Sequence, residues 1–191
     1  SFFLSRMDAL VDPMLETLMR AGSPGAQIAT AIHGQVAIAS AKVAYQIWDD
    51  IFDGERFRQL AALGASPQRL VWASTGTKNP EHSDVKYVDA LIGPETVNTI
   101  PFKTLNAYRD HGDPAPRLEE DGEESLQVLH RLADLGIDLG MATQQLEGEG
   151  IQKFIDSFER LMDRLEMKRA QARREAIDRQ SLDLQERLAA A

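Results

Sequence analysis

Between Gln68 and Pro80 the chain reads Gln68-Arg-Leu-Val-Trp-Ala-Ser-Thr-Gly-Thr-Lys-Asn-Pro80, a short run of consecutive apolar residues that passes straight into hydroxyls, a glycine, a lysine and a proline. A strand that is apolar throughout, without alternation, suits a parallel sheet covered on both faces. Small polar residues directly after such a strand are how a barrel delivers a site at the carboxyl ends of its strands. The pattern predicts a buried strand over residues 69–73 and a site staged around Ser74 to Lys78. A second strand, Ser1-Phe-Phe-Leu-Ser-Arg6, opens the sequence without an initiator Met, a turn or a cap. Residue 1 is therefore expected inside a structural element, and the chain is expected to be a piece of something longer.

Helical spacing separates these strands. Val11, Leu15 and Leu18 predict a helix for which Asp12-Pro13 suits a first turn. The Gly22-Ser-Pro-Gly25 loop follows, then a helix over about 34–52 whose apolar positions are Ala44, Ile47 and Ile51. Another helix, over about 55–63, is stopped by Gly64. Beyond the strand at 69–73 come a short helix at 87–92, a third strand at 95–100 and a helix at 102–109 after Pro101. Alternating strands and helices give an α/β fold of βα units around a parallel sheet. Three strands cannot close a barrel, and their outer members expose unpaired edges, so neighbouring strands are expected elsewhere.

After Asp113-Pro-Ala-Pro116 the β-branched residues give way to Glu, Leu and Arg. Val128, Leu132 and Leu135 mark one helix, residues 141–146 a short one, and Phe154, Phe158, Leu161 and Leu165 a long last one. The stretch 168–191 is charged and poorly apolar, a frayed tail or a connection to a further domain. The expected organisation is βα units over 1–112 and a helical extension over 113–191.

Charge and composition narrow the partners. A formal net charge of -9 argues against a nucleic-acid surface, which needs clustered Lys and Arg, but leaves room for a phosphorylated small molecule held by a few local cations. Cysteine is absent, which excludes disulfides and thiolate metal sites and suits a reducing compartment. No apolar run approaches membrane-spanning length, and a cytoplasmic location is expected.

Arg6 follows an apolar strand, where its planar guanidinium would emerge at a barrel mouth and fit a phosphate bidentately; the alternative is a surface arginine paired with Asp8 or Asp12. The segment Ser74-Thr-Gly-Thr-Lys78 offers hydroxyls, a glycine that lets backbone approach a ligand, and one cation, in the manner of a phosphate nest; the alternative is a plain loop with capping hydroxyls. Lys78 as a Schiff-base nucleophile would need a dry pocket, whereas Asn79-Pro80 beside it suggests a wet turn. Lys42, Lys86, Lys103, Lys153 and Lys168 end no strand and are expected as solvated helix residues. His33, His82, His111 and His130 show no metal-ligand spacing, so no metal is expected. The run Glu119-Glu-Asp-Gly-Glu-Glu124 reads as a solvated helix start, and Phe2, Phe3 and Trp72 as core.

The sequence resembles transaldolase in three segments taken in order: Ser1-Phe-Phe-Leu-Ser-Arg6-Met-Asp8, Trp72-Ala-Ser-Thr-Gly-Thr-Lys-Asn-Pro80 and Gly93-Pro-Glu-Thr-Val-Asn-Thr-Ile-Pro101. Leu135-Gly-Ile-Asp138 and Gly150-Ile-Gln-Lys-Phe154 are similar as well. The resemblance implies part of a (β/α)8 barrel, with the three strands as the sixth, seventh and eighth. It implies transfer of a dihydroxyacetone unit between sugar phosphates through a lysine Schiff base, with no cofactor. In that family the Schiff-base lysine lies on the fourth strand and the proton-handling acids on the first and third, so this chain is expected to be inactive alone and to need the other barrel half, in the same polypeptide or a complementary chain. The resemblance makes Arg6 and Ser74 phosphate ligands. Short-chain members carry an arginine two residues beyond that serine; Gly76 stands there, and Lys78 is taken as the replacement cation. Ser1 and Phe3 match positions that line the substrate pocket. Some transaldolases precede a glucose-6-phosphate isomerase domain, towards which the tail would lead. A half-barrel that binds sugar phosphates without catalysis and a purely structural helical module over 119–191 are the competing readings.

Overall fold

The computed structural model describes residues 1–22 and 24–189. Ser23, in the expected turn before residue 26, and the last two positions of the expected tail lie outside the described residues. Three strands, β1 (Phe2–Phe3), β2 (Leu70–Ala73) and β3 (Thr96–Asn98), form one parallel sheet in the order β1-β2-β3. Phe2 stands opposite Trp72 and Phe3 opposite Ala73; on the other side Leu70, Val71 and Trp72 pair with Thr96, Val97 and Asn98. Consecutive parallel strands joined by helical crossovers are the repeating unit of a (β/α)8 barrel, so the expected fold class holds. Trp72 at the centre is 1% exposed and meets the Phe2 ring edge-on at 5.6 Å. The sheet is less covered than an unbroken apolar strand predicts, since Leu70 and Val71 are only half-buried and Val97 is exposed.

Among the described residues the first crossover holds four helices, α1 (Leu4–Arg20), α2 (Ala26–Ile32), α3 (Val36–Phe52) and α4 (Glu55–Ala61). Two expectations need correction here. The first helix starts at Leu4, so Pro13 lies inside it and not in its first turn. Pro13 and Ala9, whose carbonyl its ring leaves unpaired, are both exposed, and water can satisfy that oxygen. The core stripe of α3 is Val36, Ala37, Ala39, Ala41 and Tyr45, whereas Ile47 and Ile51 face solvent. Small alanines on that stripe let α3 pack closely against α1 and, further along the chain, against α7 (Gly122–Asp134). Trp48 and Phe52 continue from Tyr45 as a row of rings that reaches Phe57 on α4, and the Trp48 indole donates to the Gln68 carbonyl at 2.6 Å. Gly64, at φ +97, takes the left-handed turn expected after α4.

The second crossover carries the short α5 (Lys86–Asp89), and α6 (Phe102–His111) follows β3 behind Pro101. The His111 imidazole lies 2.8 Å from Asp84 and 3.2 Å from Asp110, and these carboxylates raise its pKa. A raised folded-state pKa means the contact stabilises at pH below the unfolded value and is lost as pH rises through the folded one. By NMR titration the His111 ring is expected to titrate above the ordinary 6.5, and Asp84→Asn to bring it down.

The chain divides into two compact units, Ser1–Gln144 and Gln145–Ala191. Where two helices were expected there is one, α8 (Leu139–Ala189), which runs through Gly148 and Gly150. Asp138 caps it, accepting from Gly140 N at 2.7 Å. Within the second unit Phe154, Phe158, Leu161 and Leu165 are exposed. Among the described residues no helix is long and apolar enough to cross a membrane.

Candidate functional site

The carboxyl ends of β1 and β2 are stitched together where the chain leaves the sheet. Ser5 N, in the first turn of α1, donates to the Ser74 carbonyl at 3.0 Å, and Thr99 N donates to Trp72 O at 2.9 Å from the end of β3. Arg6 and Ser74 therefore lie at the same end of adjacent strands. Arg6 makes no ion pair among the described residues. Its guanidinium carbon sits 4.8 Å from the centre of the Phe3 ring, a cation–π contact that orients the planar fork while leaving its N–H donors for another partner. Pairing with Asp8 or Asp12 is not what the fold adopts, because both carboxylates are turned to partners of their own.

Ser74 has φ +54, a left-handed conformation unusual outside glycine and costing about 1–2 kcal/mol. Its neighbours hold the turn. Thr75 is fully buried and donates to Asn98 Oδ1 at 3.0 Å, and Gly76 sits where a Cβ would come 3.1 Å from Thr104 Oγ1 and 3.4 Å from Pro101 Cγ. The loop is thus pressed against the start of α6. Lys78 is exposed and borders a cavity of about 220 Å³ with Ser5, Asp8, Asp12, Glu16 and His82. Its surroundings are rich in carboxylates. Ser1 is exposed and Phe3 half-buried at the start of β1.

Asp8, read from the sequence only as a possible partner of Arg6, is the most heavily bonded side chain behind this end of the sheet. It is 2% exposed, and Oδ1 accepts from Ala37 N at 2.9 Å while Oδ2 accepts from the Tyr87 hydroxyl at 2.7 Å and Lys86 Nζ at 3.1 Å. Burial, then the Asp8 charge, push the Tyr87 hydroxyl well above its ordinary pKa, so it stays a donor. The signal in the sequence was a carboxylate four residues from Leu4 and three from Val11, on the apolar face of α1. Lys86 is accordingly no solvated helix residue. Neither is Lys42, 6% exposed, which donates to the Glu120 carbonyl at 3.0 Å. The acidic run from Glu119 does start α7, but it also anchors α3 through Lys42 and through the Tyr45 hydroxyl, 3.3 Å from Glu119.

A guanidinium without a carboxylate partner and a hydroxyl on a strained turn can bind an anion. They supply no nucleophile and no proton-transfer pair. A family model described as Transaldolase/Fructose-6-phosphate aldolase matches residues 1–165. A curated protein named "Transaldolase" from Thiobacillus denitrificans is 45% identical over 162 residues, which is 85% of this chain and 44% of that protein. A "Transaldolase" from Trichodesmium erythraeum is 45% identical over 172 residues, 88% of this chain and 45% of that one. A "Transaldolase 2" from a Nostoc species is 43% identical over 173 residues, again 88% and 45%. The chain spans about half the length of the curated relatives it matches.

Proposed function

The chain belongs to the transaldolase/fructose-6-phosphate aldolase family, and we propose from this premise that it supplies the phosphate-binding end of a transaldolase site. The reaction moves a dihydroxyacetone unit from sedoheptulose 7-phosphate to glyceraldehyde 3-phosphate, giving erythrose 4-phosphate and fructose 6-phosphate in the cytoplasmic pentose phosphate pathway. A lysine amine condenses with the ketose carbonyl and releases water. The resulting iminium accepts the electron pair when the carbon–carbon bond breaks and the aldose phosphate leaves. The retained carbanion then adds to the second aldehyde, and water frees the amine. The iminium formed on the lysine is itself the electron sink, so no cofactor is required.

In this reading Arg6 and Ser74 hold the phosphate, Lys78 adds charge at the rim, and Ser1 and Phe3 line the sugar pocket. Binding energy gained at the phosphate aligns the reacting carbons. The observation that carries the reading is the Ser5–Ser74 backbone bond, which joins the two strand ends, together with an Arg6 guanidinium that lacks a carboxylate partner. Lys78, exposed beside Asp8, Asp12 and Glu16, is the weakest of the three. In a complete barrel that carries the Schiff-base lysine, Lys78→Ala is expected to raise KM for a ketose phosphate by less than about tenfold, the scale of a single exposed charge contact.

The Schiff-base amine is assigned outside this chain's six lysines. Lys42 and Lys86 are committed to Glu120 and Asp8, Lys78 is exposed, and a reactive amine needs a desolvated site that lowers its pKa. The remaining strands are assigned to the open edges of β1 and β3, in the same polypeptide or in a complementary chain. Borohydride trapping with fructose 6-phosphate, followed by peptide mass analysis, tests the assignment. The expected result is no adduct on Lys42, Lys78, Lys86, Lys103, Lys153 or Lys168, and a stable adduct on any of them would overturn it.

A further inference from the structure

The fold gathers three metal-ligating side chains that the sequence keeps far apart. Asp12 lies on α1, His33 closes α2 and His82 lies in the loop between β2 and α5, yet a ligand atom from each falls within 4.8 Å of the others. The two imidazole rings are 6.1 Å apart between centres. Asp12 and His82 both line the 220 Å³ cavity beneath α1, so the cluster opens onto a space that admits a small ion and its water.

Three further observations separate this cluster from chance proximity. Among the described residues the Nε2 atom of His82 is buried and has no hydrogen-bond partner, a condition that costs about 1–3 kcal/mol unless something binds there. Gly34 makes the approach possible: at φ +69 it has no Cβ, and one would stand 2.7 Å from that same nitrogen. Asp12 is 6% exposed, and among the described residues only its Oδ1 has a hydrogen-bond partner, the Gly34 N–H at 2.9 Å.

We propose that Asp12, His33 and His82 form a binding site for a divalent transition-metal ion, with zinc as the ion the donors match best. Two imidazoles and one carboxylate are the borderline donors zinc takes, whereas magnesium and calcium require oxygen ligands. Zinc bonds of about 2.1 Å place tetrahedral donors about 3.4 Å apart, which side-chain rotation reaches from the present spacing. The fourth position opens to the cavity and takes a water. Lys86 is neutralised by Asp8 at 3.1 Å, so the neighbouring cation does not oppose the ion unaided. Glu16 lies one turn beyond Asp12, with Oε1 3.4 Å from His33 Nε2, and adds a second carboxylate to the rim. The bound ion would tie α1 to the turn after α2 and to the loop after β2. The site is separate in chemistry from the phosphate grip, and its test does not depend on turnover.

The experiment is a zinc titration of the purified protein, without a polyhistidine tag and stripped with a chelator, in competition with a chromophoric zinc indicator. One saturable equivalent is expected. His33→Ala and His82→Ala should each weaken it about tenfold or more, while His130→Ala, at an exposed position outside the cluster, should leave it unchanged. Thermal melts of the zinc-free variants check folding, and His82→Gln gives a second variant that retains a polar group. Zinc should raise the melting temperature of the parent but not of these variants. Absence of saturable binding to the parent, or undiminished binding to folded His33→Ala and His82→Gln proteins, would overturn the proposal.

Discussion

Asp8→Ala is expected to lower the stability of the fold by about 3–5 kcal/mol, the cost of stripping one partner from a buried ion pair. The substitution strands three groups at once. The Lys86 ammonium, whose side chain is 15% exposed, loses its counter-charge, and the Ala37 N–H and the Tyr87 hydroxyl lose their acceptor. A typical domain has only about 5–15 kcal/mol in hand, so the variant should unfold at a much lower urea midpoint. Asp8→Asn keeps one carbonyl oxygen for Ala37 N but removes the charge facing Lys86, and an intermediate loss is expected. Equilibrium urea denaturation of the three proteins measures this. A loss under about 1 kcal/mol for Asp8→Ala would mean that water reaches the three groups and that the carboxylate is not the organising centre of α1, α3 and α5.

Arg6→Ala should leave stability almost unchanged and, in a complete barrel that carries the Schiff-base lysine, reduce kcat/KM for a ketose phosphate about a hundredfold. The two halves of this expectation have one cause. Arg6 forms no ion pair among the described residues and is half-exposed over the Phe3 ring, so folding draws little on it, while its donors are left for a ligand. Charge-assisted hydrogen bonds contribute about 1.5–3 kcal/mol each, and a fork donating two of them accounts for a loss of this size. Arg6→Lys is expected to recover little, because an ammonium offers neither the bidentate fork nor the flat stacking surface. A ketose substrate without a phosphate group provides the control. Its turnover should be equally poor with the parent and with Arg6→Ala, and a hundredfold loss on that substrate as well would move Arg6 from the phosphate to the reacting end.

The parts of this fold that local pattern could reveal were the strands and stops. The apolar run before Ser74, the glycine at 64 and the proline at 101 act through their immediate neighbours, and each appears where the sequence puts it. What escaped depends on tertiary partners. Pro13 reads as a helix start because proline excludes an N–H, yet the stripe Leu4, Asp8, Val11 and Leu15 extends the helix past it on the exposed side. Ile47 and Ile51 are more apolar than the alanines that form the α3 core, and close packing against α1 and α7 favours the smaller residues. The helix α2, short and rich in alanine, gave no strong periodicity of its own. The two helices expected at 141–146 and around Phe154 to Leu165 are one, and α8 runs through Gly148 and Gly150.

The candidate site divides along the same line. Ser74 sits directly behind an apolar strand, and Arg6, expected at the end of one, lies in the first turn of the helix that follows Phe2–Phe3; a resemblance in three ordered segments drew attention to both. Lys42 and Lys86 are charged residues whose burial is decided by elements far away in sequence, so no spacing rule announces them, whereas Asp8 is marked only by its place between Leu4 and Val11 on the apolar face of α1. His33 and His82 are 49 residues apart in number (82 minus 33) and meet only because the loop after β2 returns against the turn that follows α2.

The most direct measurement is a crystal structure of the protein with fructose 6-phosphate bound. The account predicts the phosphate at the carboxyl ends of β1 and β2, within hydrogen-bonding distance of both the Arg6 guanidinium and the Ser74 hydroxyl. A phosphate held elsewhere, with Arg6 still lying over Phe3 and free of ligand, would contradict it.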